Sequence, residues 1–260
     1  MDPYRYISLT HEDADDFAVV TMRRPAQRNA LSEDHLRELL DAFSSIAAGK
    51  ARGAILAGEG TVFSAGHDFS DMDGRDLSAM RRLLRVCADV MKTIQAMPQP
   101  VIAQVSGLAT AAGCQLVATC DLAVCGESSS FQVPGGRGGW FCTTPGVALA
   151  RAVGRKKALE MLLTGDAIDA RTALASGLVN RVVPDEKVAD ETRELLRRAT
   201  RGSTLSKALG KQAFYRQVDM DTFHAYEYAS EVMAAASQTE DAREGVRSFL
   251  EKRRAEFKGR

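Results

Sequence analysis

The sequence predicts an α/β fold of stacked strand–turn–helix units with a helical C-terminal third. Three observations carry this. Short apolar strands recur through the first two thirds of the 260 residues, each followed by a small-residue turn and a helical period. Two of the turns are rich in glycine and alanine. From Asp185 onward the pattern is helical. No Ser/Gly linker or charge block divides the chain, so a core over 1–200 and a helical region over 201–260 are expected. The helices from Asp219 on are the most separable part.

The elements follow in order. Tyr4 to Leu9 alternates, and Phe17 to Met22 follows an acidic turn, which reads as a hairpin. Arg24-Pro25 breaks the second strand. Ser32 is an N-cap for a helix from about Glu33, with Leu36, Leu39, Leu40 and Phe43 at helical spacing. Gly53 to Ala57 is a short strand. An amphipathic helix from about Leu77 to Gln95 stops before Met97-Pro98-Gln99-Pro100. Val101 to Val105 is a strand, Gly107 to Gly113 a turn into a helix through Leu116 and Val117, and Leu122 to Cys125 a third buried strand. Ser128 to Pro145 reads as irregular. Helices follow over Val147–Val153, Lys156–Leu163 and Ala170–Ala175, and Leu178 to Val183 reads as the one strand of that half.

Lys+Arg and Asp+Glu balance at 34 each, so no global field draws the chain to nucleic acid or an anionic membrane. No apolar run is long enough to span a bilayer. Met1 to Thr10 lacks the apolar stretch of a signal peptide and the basic character of a transit peptide, so a cytoplasmic location is expected. The cysteines, Cys87, Cys114, Cys120, Cys125 and Cys142, form no C-x-x-C pair and are odd in number. Reduced, buried thiols are expected.

Phosphate-loop, H-E-x-x-H and G-x-S-x-G motifs are absent, so neither metal nor serine-hydrolase chemistry is expected. His11, His35 and His224 lie in polar or helix-surface contexts and read as solvated. Two small-residue junctions remain, Val62 to Phe69 and Val105 to Cys114. Small residues let a backbone approach a ligand closely, and a helix starting there directs unsatisfied N–H groups outward. Two such junctions facing each other would supply two donors to one oxyanion. Tight packing of a helix on a sheet accounts for the small residues equally well.

The run Arg24-Pro25-Ala26-Gln27-Arg28-Asn29-Ala30-Leu31-Ser32 resembles the first signature of the enoyl-CoA hydratase/isomerase (crotonase) family. Phe63-Ser64-Ala65-Gly66-His67-Asp68 is similar to its A-G-x-D loop, and Gly107 to Asp121 to its central glycine-rich helix start. Phe131-Gln132-Val133-Pro134, Thr144-Pro145-Gly146, Leu163-Thr164-Gly165-Asp166, Ala173 to Val183 and the tail Glu240 to Lys252 continue the match in order along nearly the whole chain.

The resemblance implies a crotonase-like spiral of stacked β-β-α turns whose helical C-terminal region covers the site and mediates oligomerisation. It implies an acyl-CoA ligand, with coenzyme A as part of the substrate and no other cofactor, and a trimer or dimer of trimers. The oxyanion hole it implies is the backbone N–H of His67 and of Ala112, which stands where the family has glycine. Arg28, Asn29, Ala30, Ala65, Gly66, Asp68, Phe69 and Gly113 would line the CoA and substrate channel. Phe249 and Lys252 match positions with which a neighbouring subunit closes over the nucleotide; an ordinary amphipathic helix is the other reading of both.

Two departures bear on activity. The positions matching the family's water-holding glutamates are Gln115 and Gly135. Gln115 can orient a water but cannot deprotonate it, and a positioned acid–base group is worth about 10²–10⁴-fold. No carboxylate stands between Gln132 and Pro145. Such variants resemble the branch of enoyl-CoA hydratase domain-containing proteins. An enzyme of fatty-acid or acyl-CoA metabolism that stabilises a thioester enolate, with an unassigned proton-transfer residue or a non-hydratase reaction, is therefore expected, with a non-catalytic acyl-CoA binding or sequestering protein as the alternative. Asp68, Asp71, Asp73 and Asp121 are the nearest acidic candidates, although Asp68 and Asp121 also read as structural. Arg137 meets either an acyl carboxylate or solvent. RNA binding is disfavoured, because the helix around Leu36 to Phe43 carries Glu38 and Asp41 rather than a basic stripe.

Overall fold

The computed structural model describes residues 4–260, so the first three residues of the expected core and of the Met1 to Thr10 segment lie outside the described residues. The chain opens with the antiparallel hairpin of β1 (Ile7–Glu12) and β2 (Phe17–Met22). Then come α1 (Glu33–Ala48), β3 (Gly53–Gly58), β4 (Val62–Ser64), a short α2 (Phe69–Met72) and α3 (Leu77–Ala96). The next two turns are β5 (Val101–Val105), β6 (Leu108–Thr110), α4 (Ala112–Thr119), and β7 (Leu122–Gly126), β8 (Ser130–Gln132), α5 (Thr143–Ala152). After α6 (Gly154–Thr164), β9 (Ile168–Asp169), α7 (Ala170–Ser176) and β10 (Arg181–Val183), four helices end the chain: α8 (Val188–Ala199), α9 (Thr204–Gln217), α10 (Thr222–Ala236) and α11 (Glu240–Leu250).

The strands form two sheets, in the orders β1-β2-β3-β5-β7-β10 and β4-β6-β8-β9. Each successive turn, β3 to β4, β5 to β6 and β7 to β8, contributes its first strand to the large sheet and its second to the small one. Apart from the hairpin, the large sheet is parallel, with Leu56 opposite both Val20 and Ala103. A parallel sheet is covered on both faces, and its strands read as continuous apolar runs. Ala18, Val20, Leu56 and Ala103 face the main core with α1 and α3, whereas Phe17, Val19, Ile55, Ile102 and Val124 face outward under Val188 and Leu196 of α8. A Cβ at Gly53 would lie 2.6 Å from Leu196 Cδ1, so glycine there lets α8 seat on the sheet.

The α/β spiral and its helical C-terminal part agree with expectation; several boundaries do not. β6 lies inside the segment read as a turn, β8 inside the segment read as irregular, and β9 adds a second strand to the C-terminal half. Strands of two or three residues offer too little period to be seen in sequence and are defined by their partners across the spiral. The expected strand from Leu178 shortens to Arg181–Val183, and α5 begins at Thr143 with Pro145 in its first turn, where the missing N–H costs nothing.

All five cysteines are free and buried. No helix among the described residues is long and apolar enough to cross a membrane. The C-terminal helices are unlike the core. Neither α9 nor α10 buries a side chain fully, and Phe223, Tyr226, Met233, Val246, Phe249 and Leu250 are largely exposed.

Helix α9 is fastened to the core by Lys211. Its ammonium donates to the carbonyls of Ile94 and Gln99, both at 2.8 Å, and pairs with Asp121 at 2.7 Å. Asp121 also accepts from Tyr215 Oη at 2.8 Å and from the Val101 N–H at 2.7 Å. Burial pushes the Asp121 carboxyl up and the Lys211 amine down, so each group relies on the other to stay charged. Replacing one partner strands the second. Lys211→Met should therefore cost about 3–5 kcal/mol of unfolding free energy in urea melts. A loss well under about 1 kcal/mol would mean that α9 is held by other contacts.

Candidate active site

The site begins with the break at Arg24-Pro25. Arg28 and Asn29 both take φ of +52°, which turns the chain sharply after Pro25–Gln27. This left-handed pair is held by the Asn29 side chain. Its Oδ1 accepts from the Arg24 N–H at 2.9 Å, and its Nδ2 donates to the carbonyls of Glu59 at 2.9 Å and Val62 at 2.8 Å. Asn29 is fully buried, so its amide serves the loop and is not presented to a ligand. Arg24 donates to the Ala30 carbonyl at 2.8 Å and pairs with Asp68 at 3.0 Å.

His35 belongs to the same brace, which overturns its reading as a solvated residue. It is fully buried, and its Nδ1–H donates to the Ala30 carbonyl at 3.1 Å. The helical period of α1 places it inward beside Leu36 and Leu39, where a polar neighbourhood in sequence is no guide. His11 and His224 are exposed, as expected.

The loop after β4 is stitched to this brace. The Ala65 N–H donates to the Arg28 carbonyl at 2.9 Å, Leu31 N–H to Gly66 at 2.8 Å, and Asp68 N–H to Leu31 at 3.1 Å. Between the last two bonds stands the His67 N–H, which among the described residues has no acceptor. Gly66, with φ of +82°, presses against the start of α4: a Cβ there would lie 2.8 Å from Ala111 Cβ and 3.1 Å from Ala112 N. A Cβ on Gly113 would lie 2.4 Å from the Ser64 carbonyl oxygen. The two small-residue junctions thus meet backbone to backbone. Ala112 is the first residue of α4, no side chain caps that end, and its N–H also lacks an acceptor among the described residues. Ala112 keeps negative φ, and the unusual conformation falls instead on Ala111, at φ +50° and ψ −118°. For a residue with a Cβ this is a strained backbone held by its surroundings, including the Ala111 N–H bond to the Gln132 carbonyl at 2.8 Å. Nothing in the sequence marks Ala111 as the position that bends.

The remaining candidates fall into three groups. Ala30, Ala65, Gly66, Asp68 and Gly113 form the frame around His67 and Ala112, and Arg28 and Phe69 lie exposed at its edge. Gln115 is buried one turn along α4, with its Oε1 unpartnered. Phe249 and Lys252 sit on α11 and just beyond it, exposed, on a helix that packs against α9. Within one chain they are not built into the frame.

The acidic candidates are largely engaged. Asp68 pairs with Arg24 and caps α2 at the Ser70 N–H, 3.1 Å away. Asp71 pairs with Arg75 at 2.8 Å and accepts the Glu33 N–H at 2.8 Å. Asp121 holds Lys211, and Asp73 is exposed. Arg137 pairs with Asp166 at 3.1 Å on the exposed surface, consistent with the solvent reading. Gly135 lies in a tight loop, where Trp140 N–H donates to its carbonyl at 2.9 Å and Cys142 Sγ accepts its N–H at 3.3 Å. A Cβ at 135 would lie 2.2 Å from the Trp140 carbonyl oxygen, so this loop leaves no room for a glutamate there. Its tip returns Trp140 over the site, 6.4 Å from the His67 ring.

Comparison with known proteins fits this architecture. The chain belongs to the enoyl-CoA hydratase/isomerase family, whose model matches residues 12–260. It is 44% identical over 239 residues to the human enoyl-CoA hydratase domain-containing protein 3, mitochondrial, covering 90% of this chain and 78% of that protein. It is 32% identical over 244 residues to the 2,3-dehydroadipyl-CoA hydratase of Escherichia coli, covering 93% and 95%. Among solved structures, an enoyl-CoA hydratase of Mycobacterium smegmatis superposes with a TM-score of 0.94 at 43% identity, covering 97% of this chain and 99% of that one. The expectation of a cytoplasmic location is overturned by relatives of this similarity that are named mitochondrial; the character of Met1 to Thr10 was insufficient ground for it.

Burial pushes the pKa of His35 down to about 4, against the help of the Ala30 carbonyl. The folded value lies below the unfolded one of roughly 6.5, so the unfolded chain takes up the proton first. The stability due to neutral His35 is complete above that pH and declines as pH falls toward 4, by roughly 3 kcal/mol at most. Urea melts across this window should show the decline, and His35→Gln should flatten it. An unchanged slope in the variant would assign the acid sensitivity to other groups.

Proposed function

We propose that this chain binds acyl-CoA thioesters and holds the thioester oxygen between the N–H groups of His67 and Ala112, stabilising an enolate. The observation that carries this reading is the pair of unsatisfied amides on two backbones in contact, one of them at an open helix end. Preorganised donors of this kind stabilise charge as it develops on a carbonyl oxygen and need no reorganisation at that moment. Family membership and relatives named as CoA-ester hydratases support the substrate class.

Ordinary hydration is not the reaction we propose. Gln115 replaces one proton-carrying group, Gly135 the other, and the acidic side chains nearest in sequence are engaged in ion pairs or exposed. The same deficit favours a second reading, a protein that binds or sequesters acyl-CoA without turnover. Calorimetric titration with butyryl-CoA, butyrate and CoA alone tests the common part. The thioester should bind more tightly than either fragment, and equal or absent binding of all three would overturn the reading. Crotonyl-CoA should bind yet be hydrated slowly; turnover of saturated, enoyl and malonyl-type CoA esters then separates enzyme from binder.

The channel of this reading is lined by Arg28, Ala30, Ala65 and Asp68 to Phe69, with Phe249 and Lys252 supplied by a neighbouring copy. Such an assembly, a trimer or dimer of trimers, is supported by the apolar side chains that α10 and α11 leave exposed, which exceed what a lone chain carries comfortably. Light scattering should find no stable monomer at micromolar concentration. A monomer would remove the cross-subunit role of Phe249 and Lys252.

A further inference from the structure

A saturated acyl thioester becomes an enolate only when some group removes a proton from the carbon next to the carbonyl, and the acidic candidates are paired or exposed. One titratable group that faces this junction without a partner on either ring nitrogen is the His67 imidazole. Both of its ring nitrogens are shielded from solvent and have no hydrogen-bond partner. The Leu31 carbonyl lies on the ring's side and favours its protonation, but outside hydrogen-bond geometry.

The imidazole does not stand alone in this. Thr110 Oγ1, on the strand that ends against Gly66, is also buried without a partner, as is Gln115 Oε1 one turn along α4. Buried polar atoms are nearly always paired, so an unpaired group in a native protein calls for a water, an ion or a chemical role. Of the nine such atoms among the described residues, four lie on or beside this junction, two of them on the His67 ring, which stands 6.4 Å from the Trp140 ring.

We propose that the His67 imidazole carries the proton in this site, taking it from Cα of a bound acyl-CoA thioester and returning it. The inference rests on the thioester-binding reading above. The free nitrogen lone pair forms a bond to the Cα proton, and the C–H electron pair becomes the C=C bond of the enolate. The carbonyl π pair moves onto oxygen, between the His67 and Ala112 N–H groups. Reprotonation reverses these steps at Cα, or transfers the proton to a conjugated carbon where the acyl chain has one. No oxidant or further reactant is required.

The ring is suited to begin as a base. Burial lowers its pKa, against the Leu31 carbonyl and the charge of Asp71, so it is neutral at pH 7. Asp71 is itself paired with Arg75, and the adjacent Asp68 with Arg24. On the loop that carries Trp140, burial keeps the Cys142 thiol protonated. None of these groups competes for the Cα proton.

The test is deuterium exchange at C2 of butyryl-CoA in D2O, followed by mass spectrometry, with thioester affinity measured in parallel. The wild type should exchange C2, at a rate level near neutral pH and falling on acidification below the ordinary imidazole value of about 6.5. His67→Gln keeps the backbone N–H and should bind butyryl-CoA as the wild type does, while exchange drops by about 100-fold or more. Thermal melts establish that the variant is folded, and the wild-type pH profile tests the assignment should it not be. Binding without exchange in the wild type would overturn the proposal and leave the thioester site standing. So would a folded variant that exchanges as fast as the wild type, or a rate insensitive to acid. Absence of thioester binding would instead remove the underlying reading.

Discussion

The contact on which the rest of the structure depends is the approach of two backbones where the β4 loop meets the start of α4. Gly66 and Gly113 are the residues that permit it, since any side chain at either would strike main-chain atoms of the other segment. The contact fixes how far the second turn of the spiral sits from the first. It also leaves the His67 and Ala112 amides without partners, because each belongs to a segment whose neighbouring hydrogen bonds are already made. The spacing of the turns and the free donors therefore have one origin. The unsatisfied donors are a consequence of how the turns stack, and strain at Ala111 is the local cost of starting α4 so close to the preceding turn.

Around this contact the chain is densely hydrogen-bonded on one side and largely exposed on the other. The Arg24–Ser32 segment is braced by the side chains of Asn29, Arg24 and His35, which are spent on hydrogen bonds within the loop and to its neighbours. In contrast, α9 to α11 rest on the core largely through α9, whose buried anchor is the Lys211–Asp121 pair. A charged pair in that position is an expensive way to hold a helix, because both groups are taken out of water.

Much of this was legible in the sequence, for identifiable reasons. The long elements α1, α3, β2 and β5 announce themselves through a helical period or a continuous apolar run, and the small-residue junctions mark the close approach. The three-residue strands β4, β6 and β8 were not legible, because their pairing is supplied by other turns of the spiral. His35 was misread for a related cause: its sequence neighbours are polar, but burial follows the phase of the helix. Phe249 and Lys252 are exposed in a single chain, so only their match to the family pattern singles them out. The engagement of Asp68 and Asp121 was anticipated, whereas the orphaned atoms of His67, Thr110 and Gln115 are a property of packing alone.

The cysteines add a chemical consequence. Two of them border the site: Cys114 follows Gly113, and Cys142 closes the loop at Gly135. Burial pushes the Cys114 thiol up to about 12 and raises Cys142 as well. The thiolate is the nucleophilic form of cysteine, so neither side chain is reactive at neutral pH. α,β-Unsaturated thioesters are Michael acceptors that alkylate free thiolates. Thiols held in their protonated form beside the junction of the two backbones are therefore poor targets for an electrophile of that kind.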